Sequence, residues 1–177
     1  QDLAAVSPDA VAEAGVPTAA ALAAAHEEYT SLRGRMIAEQ EELDWEVYRL
    51  YGLIDDDLTY PGQVPEVALG ERAFEIVLAR TVAAGDEETA WFARHGSTPI
   101  TQIPEHWPAD YRDLVQRRLD RIESDRSIRL LETPEHKRRW SSESWEKQVD
   151  RALRSWLLDR LEQRHYWFDQ NGRPTPT

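Results

Sequence analysis

The residues in this 177-residue chain best suited to chemistry on an anion are six cations in its second half: Arg117, Arg118, Arg121, Lys137, Arg138 and Arg139. Arg117 and Arg121 lie one helical turn apart, so both could reach successive phosphates of a nucleic-acid backbone. Trp140 directly follows three cations and could stack or pack. The simpler reading of the same residues is a solvated helix face laced by the i, i+4 pairs Asp113–Arg117 and Arg121–Asp125. Asp55-Asp56-Asp57 offers hard oxygen ligands, but it lacks the glycine and bidentate glutamate of a calcium loop and reads as a solvated turn. The five histidines (His26, His95, His106, His136, His165) show no i, i+4 pairing, so no metal site is expected. Ser97 and Thr98 follow His95, yet a nucleophile also needs an oriented base and an oxyanion hole. The absence of cysteine removes thiolate chemistry and disulfides. Single, scattered glycines with no preceding strand exclude a glycine-rich cofactor loop. No catalytic residue emerges.

Charge is distributed unevenly. The whole chain carries 33 acidic against 21 basic side chains, a net −12, and residues 1–100 hold 19 of the acids but only 6 of the bases. Acid therefore dominates the first half, while the second is dense in both signs. Only Lys137 and Lys147 are lysines, so an anion contact would most often be a guanidinium fork. An acidic whole argues against generic polyanion binding, although a local basic face can persist within it.

Periodicity predicts the elements that would position these groups. Ser7-Pro8 starts a short helix to about Ala14. A proline-free run from Thr18 to Tyr51 predicts one long helix, an arm more than a core element, with an apolar seam at Leu22, Ala25, Tyr29, Leu32 and Met36. Further helices are expected from about Leu69 to Ala84, after a cap at Asp86, from Ala109 to about Asp125, and from Thr133 to near Trp140. The last should begin at Ser141 or Ser142, with Trp145, Val149, Leu153, Trp156, Leu157 and Leu161 as its stripe. No segment alternates with period two, so the fold is expected to be all-α: a helical arm followed by a compact multi-helix domain. The divisions are 1–54 (short helix and arm), 55–68 (linker loop) and 69–177 (helical domain). Gln1 and the loop-like last residues read as the ends of a fragment. With no targeting segment or membrane-length apolar run, a cytoplasmic protein without a membrane partner is expected.

Several stretches together carry a resemblance. Leu43-Asp44-Trp45-Glu46-Val47-Tyr48-Arg49-Leu50-Tyr51-Gly52-Leu53 resembles the LD-x-x-VY-x-LYGL helix near the target-recognition parts of type IIG-like adenine methyltransferases. Residues 69–80 (LGERAFEIVLAR) and 91–101 (WFARHGSTPIT) are similar to the later region of the PglX family. Those are the adenine-specific DNA methyltransferases of phage-growth-limitation, or type 2 BREX, defence systems. The similarity continues through residues 122–126, 137–140 and 156–161, and it covers most of 40–173. It implies a parent protein that moves a methyl group from S-adenosylmethionine to adenine in duplex DNA. The family's Asn/Asp-Pro-Pro-Tyr/Phe motif and cofactor loop are absent here. The expectation is therefore a non-catalytic helical accessory domain, with no cofactor of its own, that spaces domains and contacts DNA backbone through the six cations. The alternative is a scaffold that docks another defence protein through Leu22, Tyr29, Leu32 and Met36.

Overall fold

The computed structural model describes residues 2–140, 143–169 and 171–174. Among them are α1 (Pro8–Ala14), α2 (Ala19–Leu50), α3 (Ala73–Ala84), α4 (Trp91–His95), α5 (Ala109–Ser124), α6 (Arg126–Leu131) and α7 (Trp145–Leu161), with short 3-10 turns at Leu3–Val6 and Arg164–Tyr166. Strand geometry among the described residues is limited to one isolated bridge between Phe168 and Pro174. The fold is all-α.

Local chemistry sets the boundaries. Ser7 is extended and its hydroxyl accepts the Ala10 N–H at 3.2 Å, with Pro8 at the first helical position. Thr18 does the same for Ala21 at 3.2 Å, and α2 then runs for 32 residues. Three expected starts move. The segment at Leu69 becomes helical only at Ala73, because the Glu75 carboxylate turns back onto the N–H groups of Gly70 and Arg72 and holds the chain before them in a turn. Ala90, not Asp86, precedes α4, and the Thr89 hydroxyl accepts the Trp91 N–H at 3.1 Å. Ser144 caps α7; Ser141 and Ser142 lie outside the described residues. The helix expected from Thr133 is a set of turns instead. The Thr133 hydroxyl donates to the last-turn carbonyl of Leu130 and so closes α6.

The chain divides into two compact units, residues 1–30 with 143–177, and residues 31–142. In the first, α1 packs on α7. Trp145 stacks on His26 with ring centroids 4.6 Å apart, and Arg151 pairs with Asp9 at 3.1 Å and with Glu143. The apolar stripe of α7 is half-buried at Trp145, Val149, Leu153 and Trp156, but Leu157, Leu158 and Leu161 are exposed.

In the second unit, residues 37–48 of α2 pack with α3, α5 and α6 around Trp45, Ile76, Tyr111, Leu119, Ile122 and Ile128. Trp45 has no exposed surface, so this stretch of the long helix, read above as an arm, supplies core. A smaller cluster joins Phe74, Leu78 and Ala79 to Trp91 and Phe92. Gly34 lets a loop cross α2 closely: its carbonyl accepts the Val67 N–H at 3.2 Å, where a Cβ would lie 3.2 Å from that of Glu66.

Gly70 is the tightest backbone position in this unit. Its φ is +97°, and a Cβ there would sit 2.5 Å from the Thr98 carbonyl oxygen. Gly70→Ala is expected to cost about 2–4 kcal/mol through backbone strain and collision. A urea unfolding midpoint equal to that of the unsubstituted protein would contradict this.

Candidate functional site

The six cations singled out above do not form one face. Arg118 points inward from α5 and is 1% exposed. Its Nε and Nη2 both donate to the Leu58 carbonyl, at 2.9 and 2.7 Å, and Nη2 also donates to Glu42 at 2.7 Å. Lys137 is 6% exposed, and its ammonium lies 2.8 Å from Asp44, 2.5 Å from Glu132 and 4.0 Å from Glu41. These two groups cannot reach a phosphate without leaving the core. Arg121 is partly exposed but pairs with Asp56 and, at 3.9 Å, with Asp125. Arg117 is exposed on α5 and lines a shallow basin with Asp56, Asp57 and Asp120, so acid surrounds it. Arg138 is exposed and lies 4.2 Å over the Trp140 ring. Arg139 is exposed too, and shares its surroundings with Glu87, Glu88 and Glu135.

The buried charges organise two polar clusters that sequence reading missed. In the first, Lys137 meets three carboxylates, and the Tyr48 hydroxyl donates to Glu132 at 2.8 Å. Burial lowers the affinity of Lys137 for its proton, but Glu132, Glu41 and Asp44 outweigh it and hold the ammonium charged well above the usual lysine range. Burial pushes the Glu41 carboxyl up to about 7; Lys137 opposes that shift, and neighbouring Glu132 adds to it. In the second cluster, Arg72 grips Glu75 through two bonds of 3.0 and 2.9 Å, and the Trp91 indole donates to the same carboxylate at 2.9 Å. Burial would raise the Glu75 carboxyl, but the bonds from Arg72, Trp91 and Gly70 overcome it and hold it below the usual range. One signal was readable for the first cluster alone: surplus acid in the first half needs cations from the second, as Asp44 finds Lys137, whereas Arg72 and Glu75 both lie in the first half.

The apolar seam proposed for docking is also covered. Leu22, Tyr29 and Leu32 are buried, and Met36 packs against the core of the second unit. The exposed large apolar side chains lie elsewhere, at Leu43, Leu50, Tyr51, Leu53 and Leu130 in the second unit and at Val16, Leu157, Leu158, Leu161, Tyr166, Trp167 and Phe168 in the first.

No reactive constellation takes shape among the described residues. No three of their His, Asp or Glu side chains are grouped to hold a metal ion. Asp57 accepts from the backbone and hydroxyl of Thr59, and Asp56 pairs with Arg121. His95 turns Nδ1 to the Trp91 carbonyl at 2.7 Å. A cavity of about 520 Å³ opens between Phe74, Leu78, Ile122 and Pro134. The hydroxyls in its wall are engaged: Thr81 donates to Val77, and Thr133 to Leu130.

A family model described as "Domain of unknown function (DUF7008)" matches residues 36–177. The chain is 56% identical, over 180 aligned residues and 99% of its length, to the adenine-specific methyltransferase PglX of Streptomyces coelicolor. It spans only 15% of that relative. No solved structure matches it.

Two consequences of the buried clusters can be measured. Because folding raises the Glu41 pKa, the folded state holds that proton more tightly than the unfolded chain does. Its contribution to stability is full below an ordinary glutamate pKa of 4.5 and is lost as pH rises through about 7. Glu41→Gln is expected to remove this dependence and to be the more stable form at about pH 8, by roughly 1–3 kcal/mol. Parallel stability–pH curves for the two proteins would refute the assignment. Lys137→Ala leaves buried carboxylates uncompensated and should cost about 3–5 kcal/mol. Arg139→Ala, at an exposed site, should stay within about 0.5 kcal/mol in the same urea titration.

Proposed function

The chain belongs to the DUF7008 family, and from that membership we propose that it is a helical accessory segment of an adenine-specific DNA methyltransferase of a phage-defence system. The observation that carries the reading is 56% identity over 99% of this chain to a 15% segment of such an enzyme. In this reading S-adenosylmethionine, which supplies the methyl group, is bound by the rest of the larger protein. The segment's role is to dock and space, not to react. Its charges favour that role: Arg118 and Lys137 are tied within the core, Arg121 is paired, and acids surround Arg117 and Arg139. Large apolar side chains, by contrast, stand exposed at the end of α2 and on α7. Exposed apolar patches of this kind mark contact surfaces.

Contact with DNA backbone is a second reading, favoured by one feature: Arg138 is exposed and held over Trp140 at 4.2 Å, presenting a cation beside an aromatic face. Arg138 would act with Arg117 and Arg139.

Labelled methyl transfer from S-adenosylmethionine to duplex DNA tests the main reading. The longer protein that contains this segment should transfer to adenine, and the 177-residue chain alone should not. Failure of the longer protein to methylate DNA would overturn it. Fluorescence anisotropy with labelled duplex across a salt series separates the two roles. Docking predicts weak binding that an Arg117→Ala/Arg138→Ala/Arg139→Ala variant leaves unchanged. Binding that falls steeply with salt and is lost in the variant would establish backbone contact instead.

A further inference from the structure

The motif at residues 43–53 has two faces, and packing within its own unit uses only one. Asp44, Trp45 and Tyr48 turn inward: Asp44 meets Lys137 at 2.8 Å, Trp45 is fully buried, and the Tyr48 hydroxyl bonds Glu132. Leu43, Val47 and Leu50 recur at i, i+4 and i+7, the spacing of a single helix face. Leu43 is 55% exposed, Leu50 68% and Tyr51 80%, and Val47 lies partly exposed between the two leucines. Leu53 extends the strip past the helix end. A unit that buries Trp45 completely thus leaves a continuous apolar ridge uncovered.

The surroundings of the ridge are acidic. Glu39, one turn before Leu43, and Asp55, two residues after Leu53, are exposed, and the one cation in the motif, Arg49, is bound to Glu46 at 2.7 Å. A partner must therefore bring an apolar stripe flanked by Lys or Arg. A second copy of this surface would set acid against acid, and nucleic acid would add more negative charge. Most of a relative such as PglX lies outside the aligned segment, which is 15% of it. A segment tethered in the same polypeptide also binds at a high effective concentration.

We propose that the exposed face of residues 43–53 is the docking site for an amphipathic helix with basic flanks, supplied by another part of the same longer polypeptide. The inference rests on the reading of this chain as a segment of a larger methyltransferase. Contact of this kind follows helix-on-helix packing, in which the ridge formed by residues at i, i+4 and i+7 seats between the side chains of the partner helix.

The test uses the longer gene product with Tyr51 replaced by the photoreactive p-benzoylphenylalanine, irradiated and digested, with cross-linked peptides identified by mass spectrometry. The expected product is a link within one polypeptide to a peptide outside these 177 residues that carries apolar residues at helical spacing and Lys or Arg beside them. A Leu43→Glu/Leu50→Glu variant should lower that yield by about tenfold or more, the effect of losing roughly 1.4 kcal/mol of docking energy. Both positions are exposed, and unchanged circular dichroism would confirm that the variant still folds. Links confined to this segment, to a second copy or to DNA would overturn the proposal, as would a yield that the variant leaves unchanged. A gene product no longer than this chain would overturn the accessory-segment reading, and the docking proposal with it. A longer product that methylates DNA but gives no such link would overturn the docking proposal alone.

Discussion

Three carboxylates on one turn of α2, Glu41, Glu42 and Asp44, face cations from distant parts of the chain, and the second unit is arranged around that meeting. Lys137 arrives 93 residues after Asp44, and Arg118 comes 76 residues after Glu42. Each cation also fixes a piece of irregular chain. Arg118 draws in the Leu58 carbonyl, so the loop after α2 lies against α5. Lys137 fastens the turns beyond α6 to the middle of α2. Ion pairs at such depth give up so much hydration that their net contribution to stability is small, whereas removing one partner leaves an uncompensated charge. What they add here is register, because each is satisfied only when helices from both ends of the unit are in place.

The two cations are not interchangeable. Arg118 serves two acceptors that lie apart, a backbone carbonyl and a carboxylate, and the planar guanidinium fork spans both. Lys137 is surrounded by three carboxylates and a phenol, which suits a compact ammonium. With one cation to three acids the site is crowded with negative charge, and burial suppresses the ionisation of Glu41, the most distant of the three from Lys137.

Helical periodicity made most of the fold legible: α2 and α5 fall within a residue or two of their expected limits, and Tyr111, Val115, Leu119 and Ile122, spaced three and four apart on α5, are all buried. Exact helix starts were less legible, because neighbouring residues compete for the cap. The entry to α3 is a local cap in which Glu75 turns back onto Gly70 and Arg72, but an arginine stands where the usual signal is Ser, Thr, Asp or Asn, and the Trp91 bond that completes it comes from 16 residues away. Which of the candidate cations are exposed was not legible either. Spacing places Arg117 and Arg121 on one face, but it cannot show that Arg118 faces the acids of α2 or that Lys137 leaves solvent. Likewise, a seam at Leu22, Tyr29, Leu32 and Met36 has the period of a docking face whether its partner lies in another protein or in the same chain.

The disposition of charged and apolar groups then bears on function through a simple inversion. A nucleic-acid surface keeps its cations outside and its apolar groups within. Here Arg118 and Lys137 are inside, paired with Glu42 and Asp44 of the first half, while leucines and a tyrosine occupy the exposed face of residues 43–53 and leucines the end of α7. The pairing explains the inversion. The Asp44–Trp45–Tyr48 face of α2 is fully occupied by Lys137, Glu132 and the core, so any further contact by this helix falls to the face bearing Leu43, Val47 and Leu50. That face is apolar with acidic margins, and the proposed occupant, a hydrophobic helix with basic flanks, is the complement of both. The interactions that tie down the inner face of the motif therefore also determine which face is left to recognise another surface.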